Sequence, residues 1–81
     1  MSKEIGKVTH FFEKASVAVV ELSGSLKVGD SINIKGNTTD FEQKVESMQI
    51  EHKNIKEAKA KQSIGLKVKE RVKQNDKVFK D

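Results

Sequence analysis

The chain has 81 residues, 35% apolar and 35% charged, with a formal net charge of +4 and no cysteine. At this size folding hides roughly 63% of the unfolded chain's surface, enough for one small core and too little for a nucleotide pocket beside a separate scaffold. The missing cysteine excludes a disulfide framework, a thiolate zinc site and a cysteine nucleophile, and no apolar run approaches the roughly 20 residues a bilayer span needs.

Met1-Ser2-Lys3-Glu4 leads into alternating sequence without an apolar signal core, so a cytoplasmic protein with one domain over residues 1–81 is the expectation. Val, Ile, Leu and Phe make 22 of the 81 residues, above the range of chains that stay disordered. Nine Val and six Ile stand against three Leu and four Ala. Branching at Cβ restricts rotamers in a helix and suits a pleated, half-buried surface. Proline is absent, so turns fall to the five glycines and to Asn, Asp and Ser.

Ile5 to Phe12 reads as the first strand, and Glu13-Lys14-Ala15 turns the chain. Ser16 to Leu22 is the second, with Val17 and Val19 on one face and Ala18, Val20 and Leu22 on the other; such a strand is expected in the middle of a closed sheet. Gly24 and Gly29-Asp30 bracket a bend before Ser31 to Lys35, where Ile32 and Ile34 point inward and Asn33 and Lys35 outward. Residues 36–40 form a loop. Phe41 to Glu51 is a longer strand in which Phe41 and Val45 oppose Met48 and Ile50 in parity. That demands either a bulge near Ser47-Met48 or a change of neighbours there.

His52 to Gln62 is a loop with at most one helical turn, since its periodicity reduces to Ile55 and Ala58. Ser63 to Val68 turns Ile64, Leu66 and Val68 inward, Gln74-Asn75-Asp76 makes a turn, and Lys77 to Lys80 is the last strand. Six short strands broken every 8–12 residues, with no helix to cover a sheet, predict an all-β fold. The expected form is a small closed six-stranded antiparallel β-barrel, because closure removes exposed edges.

Enzymatic constellations are missing. There is no phosphate-cradling GxxxxGK[ST] loop, and His10 and His52 lie 42 residues apart with no metal-ligand spacing. No Asp–His–Ser grouping suggests a triad. Glu42 and Glu46, with Lys44 between them, read as a solvated outer face. The expectation is therefore no enzyme, no cofactor and no metal.

Charge is unevenly placed. Residues 1–52 hold six Lys and eight acids; residues 53–81 hold nine Lys and Arg71 against four acids. A basic half attracts polyanions through sequence-blind phosphate contacts; the alternative is that Lys merely solvates the surface. If the strand from Ser63 runs on past Val68, Lys67, Lys69, Arg71 and Lys73 project to one side, ~6.6 Å apart, with Lys59 and Lys61 flanking them. On that parity Glu70 would face inward, which warns that the strand ends or turns there. Single-strand binders add exposed aromatic platforms. Here only Phe11 and Phe12 offer one, and as neighbours in a strand they face opposite sides.

Leu26 to Gly36, with its Val28-Gly29-Asp30 turn, resembles the second, β-barrel domain of the translational GTPases (elongation factor Tu and initiation factor two). At such a turn Gly29 allows a backbone angle closed to other residues and Asp30 accepts amide bonds. Ile64-Gly65-Leu66-Lys67-Val68 followed by Asn75-Asp76-Lys77-Val78 is similar to that domain's closing strands. Thr39 to Gln43 and Val45 to Ile50 resemble small stand-alone elongation-factor-like proteins and the barrel that ends some collagenase-like peptidase-family proteins. The resemblance covers residues 5–80. It departs at Lys61-Gln62, where family members often place Gly.

In complete factors this barrel is a docking module that contacts the GTPase domain, the small ribosomal subunit and the aminoacyl-tRNA. The resemblance thus implies a monomeric, non-enzymatic binding module with RNA, tRNA or the ribosome as partner. The alternative it implies is an adaptor for a separate peptidase-like, RNA-modifying or translation protein. Membrane contact is not expected.

Overall fold

β-Branched residues at alternating positions need a sheet to bury one face, and the chain answers with strands throughout. The computed structural model describes residues 3–80. In order, the strands are β1 (Lys3–Phe12), β2 (Val17–Leu22), β3 (Leu26–Lys27), β4 (Ser31–Lys35), β5 (Asp40–Lys44), β6 (Met48–Ile50), β7 (Lys53–Ile55), β8 (Glu57–Ala58), β9 (Ser63–Lys67) and β10 (Lys77–Lys80). No helix forms among the described residues, and so none that could cross a membrane.

Eight strands make one curled antiparallel sheet in the order β5-β4-β10-β1-β2-β9-β6-β7, and β3 pairs with β8 in a separate ribbon. The all-β reading therefore holds. The form it takes is a curled half-barrel, whose ladder has two ends, β5 and β7, that do not hydrogen-bond to each other. Three departures account for the higher strand count, the first being that the bend before β4 contains β3 (Leu26–Lys27). The stretch 41–51 breaks at Val45-Glu46-Ser47 because the chain changes neighbours, β5 pairing with β4 and β6 with β9 and β7. Residues 52–62 hold two short strands in place of a helical turn, because extended backbone lets Ala58 bury itself opposite Leu26.

One core lies inside the curl. Val8, Val20, Ile34, Leu66 and Val78 come from five strands and are fully buried, each worth roughly 1.5–3 kcal/mol of transfer free energy. One buried side chain bridges β5 to the chain that leaves β9. Gln43 of β5, 6% exposed, donates from Nε2 to the Lys67 carbonyl at 2.9 Å and accepts the Lys69 amide on Oε1 at 2.8 Å. It thus stands in for the missing ladder between β5 and the chain leaving β9.

One turn is built three times. In Lys27-Val28-Gly29-Asp30, Lys59-Ala60-Lys61-Gln62 and Lys73-Gln74-Asn75-Asp76, the fourth side chain accepts the first residue's amide at 2.7–2.9 Å. The fourth amide returns a bond to the first carbonyl at 3.1–3.3 Å. The third residue is left-handed in each, with φ of 98°, 73° and 77°. The Lys61-Gln62 departure from the family pattern thus keeps the turn, with a lysine accepting the strained angle.

Candidate nucleic-acid interface

A bulge in β1 decides which aromatic ring meets solvent. Strict alternation would put Val8, His10 and Phe12 on one face. The β1–β2 register slips between Val8 and His10, so that Val8 faces Val20, His10 faces Val19 and Phe11 faces Ala18. The extra residue reverses the parity. Phe11 turns toward the core, while His10 and Phe12 turn outward, Phe12 51% exposed. Their rings meet edge to face, centroids 4.6 Å apart at 61°.

These rings line a groove of about 580 Å³ with Glu13, Lys14, Arg71, Val72, Lys73 and Gln74. Buried Val72 anchors the 68–73 segment beside the β1–β2 turn. Arg71 reaches across to Glu13 in an ion pair, the two side chains 71% and 61% exposed; exposed pairs contribute only ~0–1 kcal/mol and open readily. The result is an exposed aromatic pair with Lys14, Arg71 and Lys73 around it. A base fits such rings by stacking, and a phosphate fits the cations.

The six cations singled out in the sequence do not form one stripe. β9 ends at Lys67, and Glu70 is exposed beyond it. Arg71 and Lys73 join the aromatic groove. Lys69 lies in a separate hollow with Glu42 and Glu46, and Lys67 ends β9 opposite Val17. Lys59 and Lys61 sit on the turn bonded to Leu22, at the other end of β2, about 16 Å from Val17 at ~3.3 Å per residue. Gly29 and Asp30 occupy the turn they were assigned, Asp30 accepting the Lys27 amide at 2.9 Å. His10 and Lys14 line the groove without standing out in the sequence. Their only signal in the sequence was adjacency to Phe11-Phe12, and it needed the bulge to carry meaning. Among the described residues, no group of three His, Cys, Asp or Glu is placed to hold a metal ion.

Comparison with known proteins agrees with this architecture. The elongation factor Tu domain 2 family matches residues 15–74. An uncharacterized protease of Methanocaldococcus jannaschii is 46% identical over 77 residues, covering 94% of this chain and 19% of that protein. A collagenase of Porphyromonas gingivalis is 38% identical over 78 residues, covering 94% of this chain and 22% of the other. The chain thus spans about a fifth of the length of these relatives. Among solved structures, the C-terminal domain of a putative U32 peptidase from Geobacillus thermoleovorans superposes with a TM-score of 0.91 at 21% identity. That match covers 96% of this chain and 99% of the other. It speaks to fold.

Proposed function

Because the chain belongs to the elongation factor Tu domain 2 family, we propose that it acts as a non-enzymatic module that binds RNA, either tRNA or ribosomal RNA. The observation behind this reading is the exposed His10–Phe12 pair ringed by Lys14, Arg71 and Lys73. Neither half suffices alone. Scattered lysines hold any polyanion weakly, and one exposed phenylalanine is ordinary on a small domain. Together they supply the two contacts a single strand uses, ring faces for bases and cations for phosphates.

The test is anisotropy of a labelled single-stranded oligouridylate with the whole chain. Phe12→Ala is expected to weaken binding by about 5- to 160-fold, the equivalent of ~1–3 kcal/mol for one stacked base. Arg71→Glu with Lys73→Glu is expected to weaken it further and to flatten its salt dependence. Unchanged affinity in both variants, or no binding by the parent chain, sinks the reading.

A second reading has its own support. Relatives at 38–46% identity carry this domain in chains about five times as long, named a protease and a collagenase. As an adaptor for a peptidase-like enzyme, the chain would recover one protein partner from extract after nuclease treatment. Under the RNA reading, nuclease removes whatever is recovered.

A further inference from the structure

The outer face of the sheet holds a charge pattern that the aromatic groove leaves unused. In the β1–β10 register Lys7 stands opposite Lys77, and in the β10–β4 register Lys77 stands opposite Lys35. All three are exposed, so one row of like charge crosses three adjacent strands. At ~4.8 Å per strand the row spans about 10 Å, and each neighbouring pair lies inside the Debye length of about 8 Å at physiological salt. Like charges directly opposite destabilise a sheet. Acids stand at both ends of the row, Glu21 opposite Lys7 and Asp40 opposite Lys35. Yet among the described residues the row's one ion pair is Lys77 with Glu4, at 3.7 Å and exposed.

The row borders a second cavity, of about 560 Å³, lined by Lys35, Lys73, Lys77 and the two turns at 36–38 and 74–76. Asp76 also lines it, but is 4% exposed, its carboxylate taking the Lys73 amide at 2.8 Å. Lys73 and Gln74 line this cavity and the aromatic groove alike. The turn between the two is clamped to β1 by Asn75 N to Val8 O and Val8 N to Asp76 O, both 2.7 Å. The two hollows therefore flank one rigid ridge.

We propose that Lys7, Lys77 and Lys35, with Lys73 on the ridge, form a phosphate subsite that holds the backbone of a single RNA strand whose bases stack in the Phe12 groove. The ligand rests on the RNA reading above; the position rests on the lysine row. A phosphodiester chain suits this geometry because successive anions can answer successive lysines, which relieves a repulsion the fold otherwise keeps.

Two measurements separate the claims. The first is thermal unfolding of the chain with inorganic tripolyphosphate, comparing the parent with a triple Lys7→Gln, Lys35→Gln, Lys77→Gln variant and the matching triple Arg variant. The parent and the Arg variant gain several degrees in Tm and the Gln variant does not, while without polyanion the Gln variant is at least as stable as the parent. No gain in the parent, or an equal gain in the Gln variant, overturns the subsite. The second is oligouridylate anisotropy against salt. The Gln triple loses tenfold or more and its log–log salt slope is shallower by about 2, at ~0.7 per phosphate, whereas Phe12→Ala lowers affinity at constant slope. Parent binding with an unaltered Gln triple overturns the subsite and leaves the RNA reading standing. A tripolyphosphate response without RNA binding overturns RNA as the ligand, here and in the RNA reading, and leaves the lysine row as an anion site.

Discussion

Gly29 and Gly36 are favoured for opposite reasons. Gly29 has φ of +98° and open space where a Cβ would stand, so its requirement is backbone angle alone. At Gly36 a Cβ would overlap the Asp76 carboxylate, so its requirement is room. Gly29→Ala should therefore cost about 1–2 kcal/mol, the penalty of a left-handed alanine, and should be insensitive to its neighbours. Gly36→Ala displaces Asp76 from the Lys73 amide and should cost about 1–3 kcal/mol. Combined with Asp76→Ala, that loss should fall well short of the sum of the singles, because both remove one contact. Urea unfolding measures all of these. The Gly29-Asp30 turn is legible in the sequence because the requirement is local. Nothing around Gly36 announces a carboxylate forty residues away.

The elements show strain and repair. Glu51 and His52 join β6 to β7 with φ of 51° and 66°, two consecutive left-handed residues where a two-residue hairpin favours Asn-Gly. The double substitution Glu51→Asn with His52→Gly should stabilise the chain by about 1–2 kcal/mol, the cost of the one left-handed L-residue that Gly removes, with Asn tolerating the angle at 51. The readout is a higher urea midpoint at unchanged slope. The seam at Gln43 works the other way. Gln43→Leu keeps bulk but leaves the Lys67 carbonyl and Lys69 amide without partners, an expected loss of about 1–3 kcal/mol per group. Hydrogen exchange should show the Lys69 amide losing protection first, while β1 and β2 keep theirs; uniform loss would mean that Gln43 is not a local seam. Sequence parity predicted the break between Phe41 and Met48, because a change of face must be resolved somewhere. It could not predict that an amide side chain would close the gap the break opens.

For the whole molecule, strands distant in sequence lie side by side: β10 between β1 and β4, and β9 between β2 and β6. Such non-local pairing folds slowly, on the order of milliseconds to seconds. With no proline in the chain, refolding should be a single exponential lacking the phase of about 10–100 s that proline isomerisation brings. A stopped-flow trace with such a phase would contradict this.

Alternation, β-branching and turn chemistry suffice to read an all-β chain, its inward residues and two of its three recurrent turns, because each depends on a few adjacent residues. The surface proposed to bind RNA is not readable in this way. Thr9 is an ordinary position until pairing with β2 makes it the bulge that turns Phe12 outward. Lys7, Lys35 and Lys77 are unrelated surface residues until antiparallel register sets them in one row. The basic last third of the sequence suggested a single stripe, and the end of β9 at Lys67 divided it. Local sequence decides which side chains face out along a strand. Which of them stand together is decided by register between segments far apart in the chain, and only the folded sheet sets that.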